Sequence, residues 1–255
     1  MKKLLALIFI VLALIVIALQ FGRDDGTHAI LPEDSAQSSE WLYQASYVGP
    51  QTCGECHTTR LQRFSETSHY KTALEPDSQT IAGSFAPEKS RLETGNPYLH
   101  FELLAREGSF YQKAVMNTPE GKSERTARID FVIGSGKLGQ TYLFWNRNML
   151  FQLPVSYLTS TDSWVNSPGY PDGVADFARP ILPRCLECHT TYFEARSHNS
   201  NMYKKDGYIL GVTCERCHGP GSMHVDYLRQ NPEADEPRFI QYPGDFSRAR
   251  SIDLC

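Results

Sequence analysis

The 255-residue sequence predicts an α+β protein in which helical or irregular segments flank an antiparallel, β-rich insert, with an N-terminal membrane helix before them. Two observations support this class. The chain opens with an apolar run, and every cysteine lies outside a stretch of short aromatic and β-branched runs separated by turn residues. The predicted segments are a signal peptide or signal anchor at 1–22, a polar tether at 23–46, a first cysteine-bearing segment at 47–90, the β-rich insert at 91–158, and the remaining cysteine-bearing segments at 159–255.

The N-terminal apolar run has the features of an export signal. Lys2 and Lys3 precede sixteen uninterrupted apolar residues, Leu4 to Leu19. As a helix this run spans about 24 Å, somewhat less than the roughly 30 Å hydrocarbon core of a bilayer. It is typical of a signal peptide or an uncleaved signal anchor. The positive-inside rule then places the rest of the chain on the periplasmic side of the cytoplasmic membrane, either anchored or secreted.

The charge balance argues against a nucleic-acid partner. The formal net charge is -4, and the 25 lysines and arginines form no basic stripe. About 230 residues follow the apolar run, which is enough for one or two domains.

The cysteines identify the chemistry. Six of the seven fall into three C-x-x-C-H motifs, and the seventh, Cys255, is the last residue. Zinc sites and redox C-x-x-C motifs do not require a histidine directly after each pair, whereas covalent attachment of c-type haem does. In that chemistry two thiols form thioether bonds and the adjacent imidazole is the proximal iron ligand. The motifs therefore predict three haem c groups, with zinc or thiol chemistry as the alternative; the residues are Cys53, Cys56 and His57, then Cys185, Cys188 and His189, then Cys214, Cys217 and His218.

Two further histidines are candidate distal iron ligands. His69 lies twelve residues beyond His57 in a stretch that predicts a continuous helix over 58–74. Such a helix separates the two by about 18 Å, so His69 would serve a different haem. Gly219 and Gly221 flank a proline and break any helix after His218, which lets the chain aim His224 at a neighbouring haem. Weaker candidates for a third distal position are His100, His198, Met202 and Met223.

The cysteine-free middle of the chain predicts antiparallel strands. Turn signals separate five runs, at 97–104, 109–116, 125–133, 140–145 and 149–155. Residues 134–137 lack the full phosphate-loop pattern and are interpreted as a turn. Residues 159–184 are rich in proline and glycine and predict irregular chain, in which Trp164 and Tyr170 either contact a porphyrin edge or pack in the core.

Several stretches resemble the multihaem c-type cytochromes of the cytochrome c-554 kind. They are YVGPQTCGECH, SETSHYKTAL, FQLPVSYLTSTDSWVNSPGY, RPILPRCLECHTTYFE and GVTCERCHGPGSMHV, and they cover most of residues 47–225. The resemblance implies mostly helical haem-binding parts and closely spaced haems that pass electrons. It also implies that His69 and His224 are distal ligands of haems other than those attached nearest to them. The long β-rich stretch departs from the compact family pattern and resembles larger membrane-associated relatives.

These features predict a periplasmic relay that passes electrons through mostly bis-histidine haems without chemistry of its own. The expected partners are redox proteins or a membrane quinol-oxidising system, together with the membrane through the N-terminal helix. One alternative is a multihaem oxidoreductase with one open haem for a small nitrogen or sulfur oxyanion. Another is a haem-based sensor or scaffold that uses the β-rich unit to bind a partner. Cys255 is interpreted as the first cysteine of a fourth motif in a truncated chain.

Overall fold

The computed structural model describes residues 40–254. Residues 44–254, nearly all of the described part, belong to one compact unit. The predicted membrane helix at 1–22, most of the tether and Cys255 lie outside the described residues. Within 40–254, no helix combines the length and the apolar character needed to cross a bilayer.

The helices are short, and three of them carry the C-x-x-C-H motifs. A single helical turn brings residues three apart onto one face, which places the two cysteines of each motif side by side. Proline occupies the first turn of two of these helices, where its missing N–H group leaves no intrahelical bond unmade. The helices are α1 (Trp41–Gln44), α2 (Pro50–Cys56), α3 (Thr58–Ser65), α4 (Pro183–Glu187), α5 (Cys214–His218), α6 (Ser222–Gln230) and α7 (Arg248–Ile252).

The described strands form three antiparallel sheets. A six-stranded sheet has the order β1-β6-β7-β9-β10 with β8 paired to β7, a four-stranded sheet has the order β2-β3-β4-β5, and β11 and β12 form a hairpin. The predicted combination of helices with antiparallel sheet is thereby confirmed. The strands are β1 (Ala73–Leu74), β2 (Arg91–Glu93), β3 (Leu99–Arg106), β4 (Ser109–Thr118), β5 (Gly121–Arg128), β6 (Phe131–Ile133), β7 (Gly139–Asn146), β8 (Met149–Gln152), β9 (Val155–Leu158), β10 (Ser163–Asn166), β11 (Thr190–Ala195) and β12 (Tyr203–Leu210).

The two larger sheets pack face to face around one apolar core. Alternate residues of β3, including Leu99, Phe101 and Leu103, meet Tyr142 and Phe144 of β7 in this core. The buried amide of Gln112 on β4 joins the sheets directly. Its Nε2 donates to the Val155 carbonyl oxygen at 2.6 Å, and its Oε1 accepts from the Val155 N–H at 2.9 Å. One side chain thus satisfies both backbone groups of a buried β9 residue.

The six-stranded sheet is buried on its second face as well. Phe131 and Leu143 point away from the sandwich core and pack with Leu186 of the second C-x-x-C-H motif and Tyr203 of the β11–β12 hairpin. Phe193 of the same hairpin stacks on Tyr208 and lies edge-on to Phe131. The sheet is therefore a platform that holds the second motif through apolar and aromatic contacts.

The chain departs from the predicted strands at two places. The predicted strand over 125–133 is two strands in different sheets: the Ile129 N–H bonds to β4 and the Asp130 N–H bonds to β7, so the chain changes sheet at this point. The β11–β12 hairpin replaces the helical or irregular structure predicted between the second and third motifs. Its aromatic residues pack against the six-stranded sheet, a tertiary contact that local sequence does not reveal.

Trp164 belongs to the sandwich core. It is buried among the rings of Phe85, Tyr142 and Tyr157, and its Nε1 donates to the Ser84 carbonyl oxygen at 3.0 Å. Of the two positions expected for this side chain, the structure therefore selects core packing.

We predict that Gln112→Leu destabilises the protein by about 2–4 kcal/mol, because it leaves the buried N–H and C=O groups of Val155 without partners. The free energy of unfolding in urea measures the effect. Gln79→Leu is the matched control, since Gln79 is exposed and its replacement removes no buried bond. Equal stability of the two variants would contradict the proposed connection between the sheets.

Candidate haem sites

The first and third C-x-x-C-H motifs line a common cavity of about 750 Å³. The Cys53 thiol donates to the Gly49 carbonyl oxygen at 3.6 Å and lies beside the Cys214 sulfur, so the two motifs are in direct contact. Interaction between the two sulfur atoms raises the pKa of Cys53 and lowers that of Cys214. The main lining residues are Cys53, Cys56, His57, Leu61, Phe64, Cys214, Glu215, Cys217, His218, His224, Val225, Leu228, Ile240 and Tyr242.

Two histidines of this cavity are held in one tautomer by main-chain carbonyl groups. The Nδ1 atom of His218 lies 2.7 Å from the Gln241 carbonyl oxygen, and that of His224 lies 2.8 Å from the Arg238 carbonyl oxygen. A carbonyl oxygen only accepts, so Nδ1 carries the proton in both rings and Nε2 keeps its lone pair. This arrangement is typical of imidazoles that bind a metal through Nε2. Both carbonyl groups come from the segment that follows α6.

A buried carboxylate joins the first and third motifs. Glu215, between the cysteines of the third motif, is only 3% exposed. Its Oε1 accepts from the N–H groups of Val48 at 2.9 Å and Gly221 at 2.8 Å, and its Oε2 accepts from that of Gly49 at 2.8 Å. One side chain thus joins the chain that enters α2 to the third motif and to the turn that follows this motif.

Threonine hydroxyl groups connect the second motif to the other two. The Thr72 Oγ1 lies 2.8 Å from the carbonyl oxygens of both His69 and His189, and it accepts from the Val212 N–H at 3.2 Å. Thr191, two residues after the second motif, donates to the Gly211 carbonyl oxygen at 2.7 Å and accepts from the Thr213 N–H at 2.7 Å. All of these bonds except that from Thr72 to His69 are partly or wholly buried, and they join the second motif to the segments beside the other two.

The second motif borders a smaller cavity of about 180 Å³ against the six-stranded sheet. Cys185, Leu186 and His189 line it together with residues of β6, β7 and β8. His189 is the one histidine among the described residues that line this cavity. Its Nδ1 atom is buried and has no hydrogen-bond partner in the described part of the chain, and burial lowers the pKa of the ring. The environment of His189 therefore differs from that of His218.

The predicted helix over 58–74 forms only over Thr58–Ser65, so the distance argument for His69, which needed a continuous helix, does not hold. α3 ends at Ser65, where the Thr67 hydroxyl bonds to the Phe64 carbonyl oxygen at 2.7 Å and competes with the helical pattern. His69 is exposed and begins a 3₁₀ turn. Its carbonyl oxygen accepts from the Val212 N–H at 2.9 Å, which places it beside the third motif. It lines neither of the two cavities.

The weaker ligand candidates lie elsewhere. His100 is buried on β3 with its Nε2 3.4 Å from a Glu102 oxygen, and His198 is exposed in the turn between β11 and β12. Met202 bridges to β8, and Met223 lies in the first turn of α6. The hydroxyl of Tyr170 donates to the Gln152 carbonyl oxygen.

The residues present fit covalently attached haem. The larger cavity combines four thiols, three histidines and apolar walls. By contrast, no three His, Cys, Asp or Glu side chains within 40–254 are arranged to hold a metal ion on their own, and no disulfide bond joins the six motif cysteines. Sequence reasoning missed Glu215, Thr72 and Thr191. A glutamate lies between the cysteines of every motif; Glu215 directly follows its first cysteine, whereas Glu55 and Glu187 directly precede the second, but this difference in position does not by itself indicate burial.

Comparison with known families supports the same cofactor. The family model of cytochrome c554 and c-prime matches residues 171–219, an interval that contains both the second and the third motif. The chain is a multihaem c-type cytochrome. It carries covalently bound haem c. The matched residues include one of the stretches that carry the resemblance to cytochrome c-554 and part of another.

Other similarities are more distant. The cytochrome is 21% identical to the dissimilatory sulfite reductase MccA of Wolinella succinogenes in an alignment of 261 positions, which covers 82% of this chain but only 35% of the relative. The outer cell wall cytochrome OcwA aligns with 23% identity and a TM-score of 0.46, covering 77% of this chain and 35% of that one. An undecahaem cytochrome from the S-layer of Carboxydothermus ferrireducens aligns with 19% identity and a TM-score of 0.38, covering 71% and 22%. Both TM-scores are below 0.5 and establish no shared fold.

We predict that Gly211→Ala destabilises the junction of the three motifs by at least about 2 kcal/mol. Gly211 has a φ of +71°, and a Cβ atom there would overlap the Tyr70 carbonyl oxygen. Thermal unfolding of the haem-loaded protein measures the loss. Gly244→Ala is the matched control, because no atom lies within 4 Å of the position that its added methyl group would take, and its φ is not positive. A Gly211→Ala variant as stable as this control would show that the close approach is unimportant.

Proposed function

We propose that this cytochrome is an electron-relay unit that holds three haem c groups at Cys53/Cys56, Cys185/Cys188 and Cys214/Cys217, with His57, His189 and His218 as proximal ligands. The observation that carries the proposal is the common cavity of the first and third motifs. Two attachment sites whose cysteines are in contact keep their cofactors close, as electron transfer between them requires. Bound haem c supplies one-electron redox chemistry, and the chain supplies the ligands and the spacing.

His224 is proposed as the distal ligand of the haem attached at the first motif. It lines the same cavity as His57, and the Arg238 carbonyl oxygen holds its ring with Nε2 available. The resemblance to the cytochrome c-554 kind assigns the histidine at this place to a haem other than the nearest one, and the first motif is the other attachment site in this cavity. His69 is proposed as the distal ligand of a different haem from the one at His57. Two histidines fill both axial positions, which leaves no place for a substrate and favours a lower potential than His/Met ligation.

The cellular setting is part of the proposal. Haem c is attached outside the cytoplasm, in keeping with the export signal predicted at 1–22. The cytochrome is proposed to work on the periplasmic side of the membrane or beyond it, with redox proteins or a membrane quinol-oxidising system as its electron donors or acceptors.

The second candidate function is an oxidoreductase with one open haem at the second motif. It is favoured by the smaller cavity, in which His189 is not accompanied by another histidine among the described lining residues. The distant relative named a dissimilatory sulfite reductase is compatible with this function. A small sulfur or nitrogen oxyanion is the class of substrate such a position would take.

The first experiment is to mature the protein with a c-type haem assembly system, count its haems as pyridine haemochromes and record electron paramagnetic resonance spectra. Three covalent haems that are all low-spin support the relay. One high-spin haem that changes its spectrum when sulfite or nitrite is added supports the oxidoreductase. A preparation without covalent haem would exclude both functions.

We predict that His224→Ala converts one of the three haems from low-spin to high-spin, because it removes one axial ligand and leaves the thioether bonds in place. The charge-transfer absorption band of high-spin haem and the high-spin electron paramagnetic resonance signal measure the change. The haem count is expected to stay the same. His198→Ala is the matched control, since His198 is exposed in a turn outside both cavities. A His224→Ala protein with three low-spin haems would refute the assignment of His224.

A further inference from the structure

The three C-x-x-C-H motifs each contain one glutamate between their cysteines, and the three glutamates differ sharply in environment. The Glu55 side chain is 60% exposed and pairs with Arg229 at 3.0 Å. The Glu187 side chain is 50% exposed, with Arg184 at 3.9 Å. Glu215 is 3% exposed. Glu55 and Glu187 directly precede the second cysteine of their motifs, whereas Glu215 directly follows the first, and only Glu215 is removed from water.

The Glu215 carboxylate is satisfied by main-chain N–H groups and not by a cation. Val48, Gly49 and Gly221 supply its three hydrogen bonds, and none of the ion pairs between described residues includes it. Hydrogen bonds from neutral donors stabilise the negative charge without cancelling it. The charge therefore acts on its surroundings at close range and in a region of low dielectric constant.

Those surroundings are the cavity of the first and third motifs. Glu215 lines this cavity together with His57 and His218, and its charge acts on the thiols of Cys53 and Cys214. Reduction of a haem adds one electron and no proton, so a nearby fixed negative charge disfavours the reduced state. Arg60 and Arg229 also line the cavity, but both are exposed, and solvent and salt screen their charges.

Within 40–254, the second motif lacks a buried carboxylate and also lacks a hydrogen-bond acceptor for its histidine. Glu187 is exposed, and the His189 Nδ1 atom has no hydrogen-bond acceptor among the described residues, whereas His218 donates to the Gln241 carbonyl oxygen. An imidazole that donates such a bond is a more basic ligand and stabilises the oxidised iron. Both differences favour a higher reduction potential for the haem of the second motif than for that of the third.

We infer that Glu215 is a positioning residue that also sets the order of the three haem reduction potentials. Its buried charge lowers the reduction potentials of the haems of the first and third motifs below that of the haem of the second. The inference rests on the proposed relay and adds a direction to it. Electrons that enter at the pair run downhill to the second haem, beside the six-stranded sheet.

The test is a potentiometric titration of the haem-loaded protein, followed by absorption spectroscopy, for the wild type and for Glu215→Gln. A double variant, Cys185→Ala with Cys188→Ala, removes the attachment site of the second haem. The potential that is missing from its titration is therefore that of the second haem. In Glu215→Gln, two potentials are expected to shift to more positive values while that of the second haem stays in place. Three unchanged potentials would overturn the inference.

Matched variants separate charge from structure. Glu187→Gln and Glu55→Gln neutralise exposed carboxylates that also lie between the cysteines of a motif, and any shift in potential that they produce is expected to vanish at high salt. Glu215→Asp keeps the charge and shortens the side chain, so it is expected to retain the low potentials even if it lowers the unfolding temperature. An upward shift in Glu215→Asp equal to that in Glu215→Gln would assign the effect to lost hydrogen bonds and refute a role of the charge.

The wild-type protein provides a second test if Glu215→Gln does not mature. Its three potentials are measured at low and at high salt. A buried charge is screened little, so the pair is expected to stay below the second haem under both conditions. Convergence of the potentials at high salt would attribute the order to surface charges and overturn the inference. Absence of covalent haem, by contrast, would refute the proposed function itself.

Discussion

The arrangement of the three motifs depends on one buried carboxylate. An acidic group is rarely placed out of water unless its hydrogen-bonding capacity is met, and Glu215 meets it with N–H groups from two separate parts of the chain. Those donors become well placed only when the segment before α2 lies against the third motif. The cost of leaving this carboxylate unsatisfied therefore favours a single placement of the first and third attachment sites, and the contact between Cys53 and Cys214 follows from it.

The β-rich unit provides the second constraint. Its six-stranded sheet is apolar on both faces, so one face completes the sandwich and the other needs a cover. The second motif and the β11–β12 hairpin supply that cover, and the hydroxyl groups of Thr72 and Thr191 then connect them to the other two motifs. The sandwich is thus a support for the haem-binding region, and polar bonds at the junction determine the relative positions of the three motifs.

Sequence patterns predicted the chemistry and the β-rich unit well, because both depend on residues close together in the chain. A C-x-x-C-H motif is complete within five residues, and strand alternation shows within a run such as β3 or β4. The helix predicted through His69 failed because the Thr67 hydroxyl competes for a backbone carbonyl group, and the hairpin after the second motif was missed because its aromatic residues are stabilised by a distant sheet. The sheet change at Ile129 was also missed, since no glycine or proline interrupts residues 125–133.

The sequence by itself determined the cofactor chemistry and the presence of antiparallel strands, and it predicted the attachment thiols and proximal histidines, because each of these depends on local residue order. Only the tertiary structure decided which motifs share a cavity, which histidines have an acceptor for Nδ1, and which of the three glutamates between paired cysteines is buried. The physical reason is that burial and hydrogen-bond partners come from residues far away in the chain: Val48 and Gly49 reach Glu215 across more than 160 positions, and Gln241 reaches back to His218.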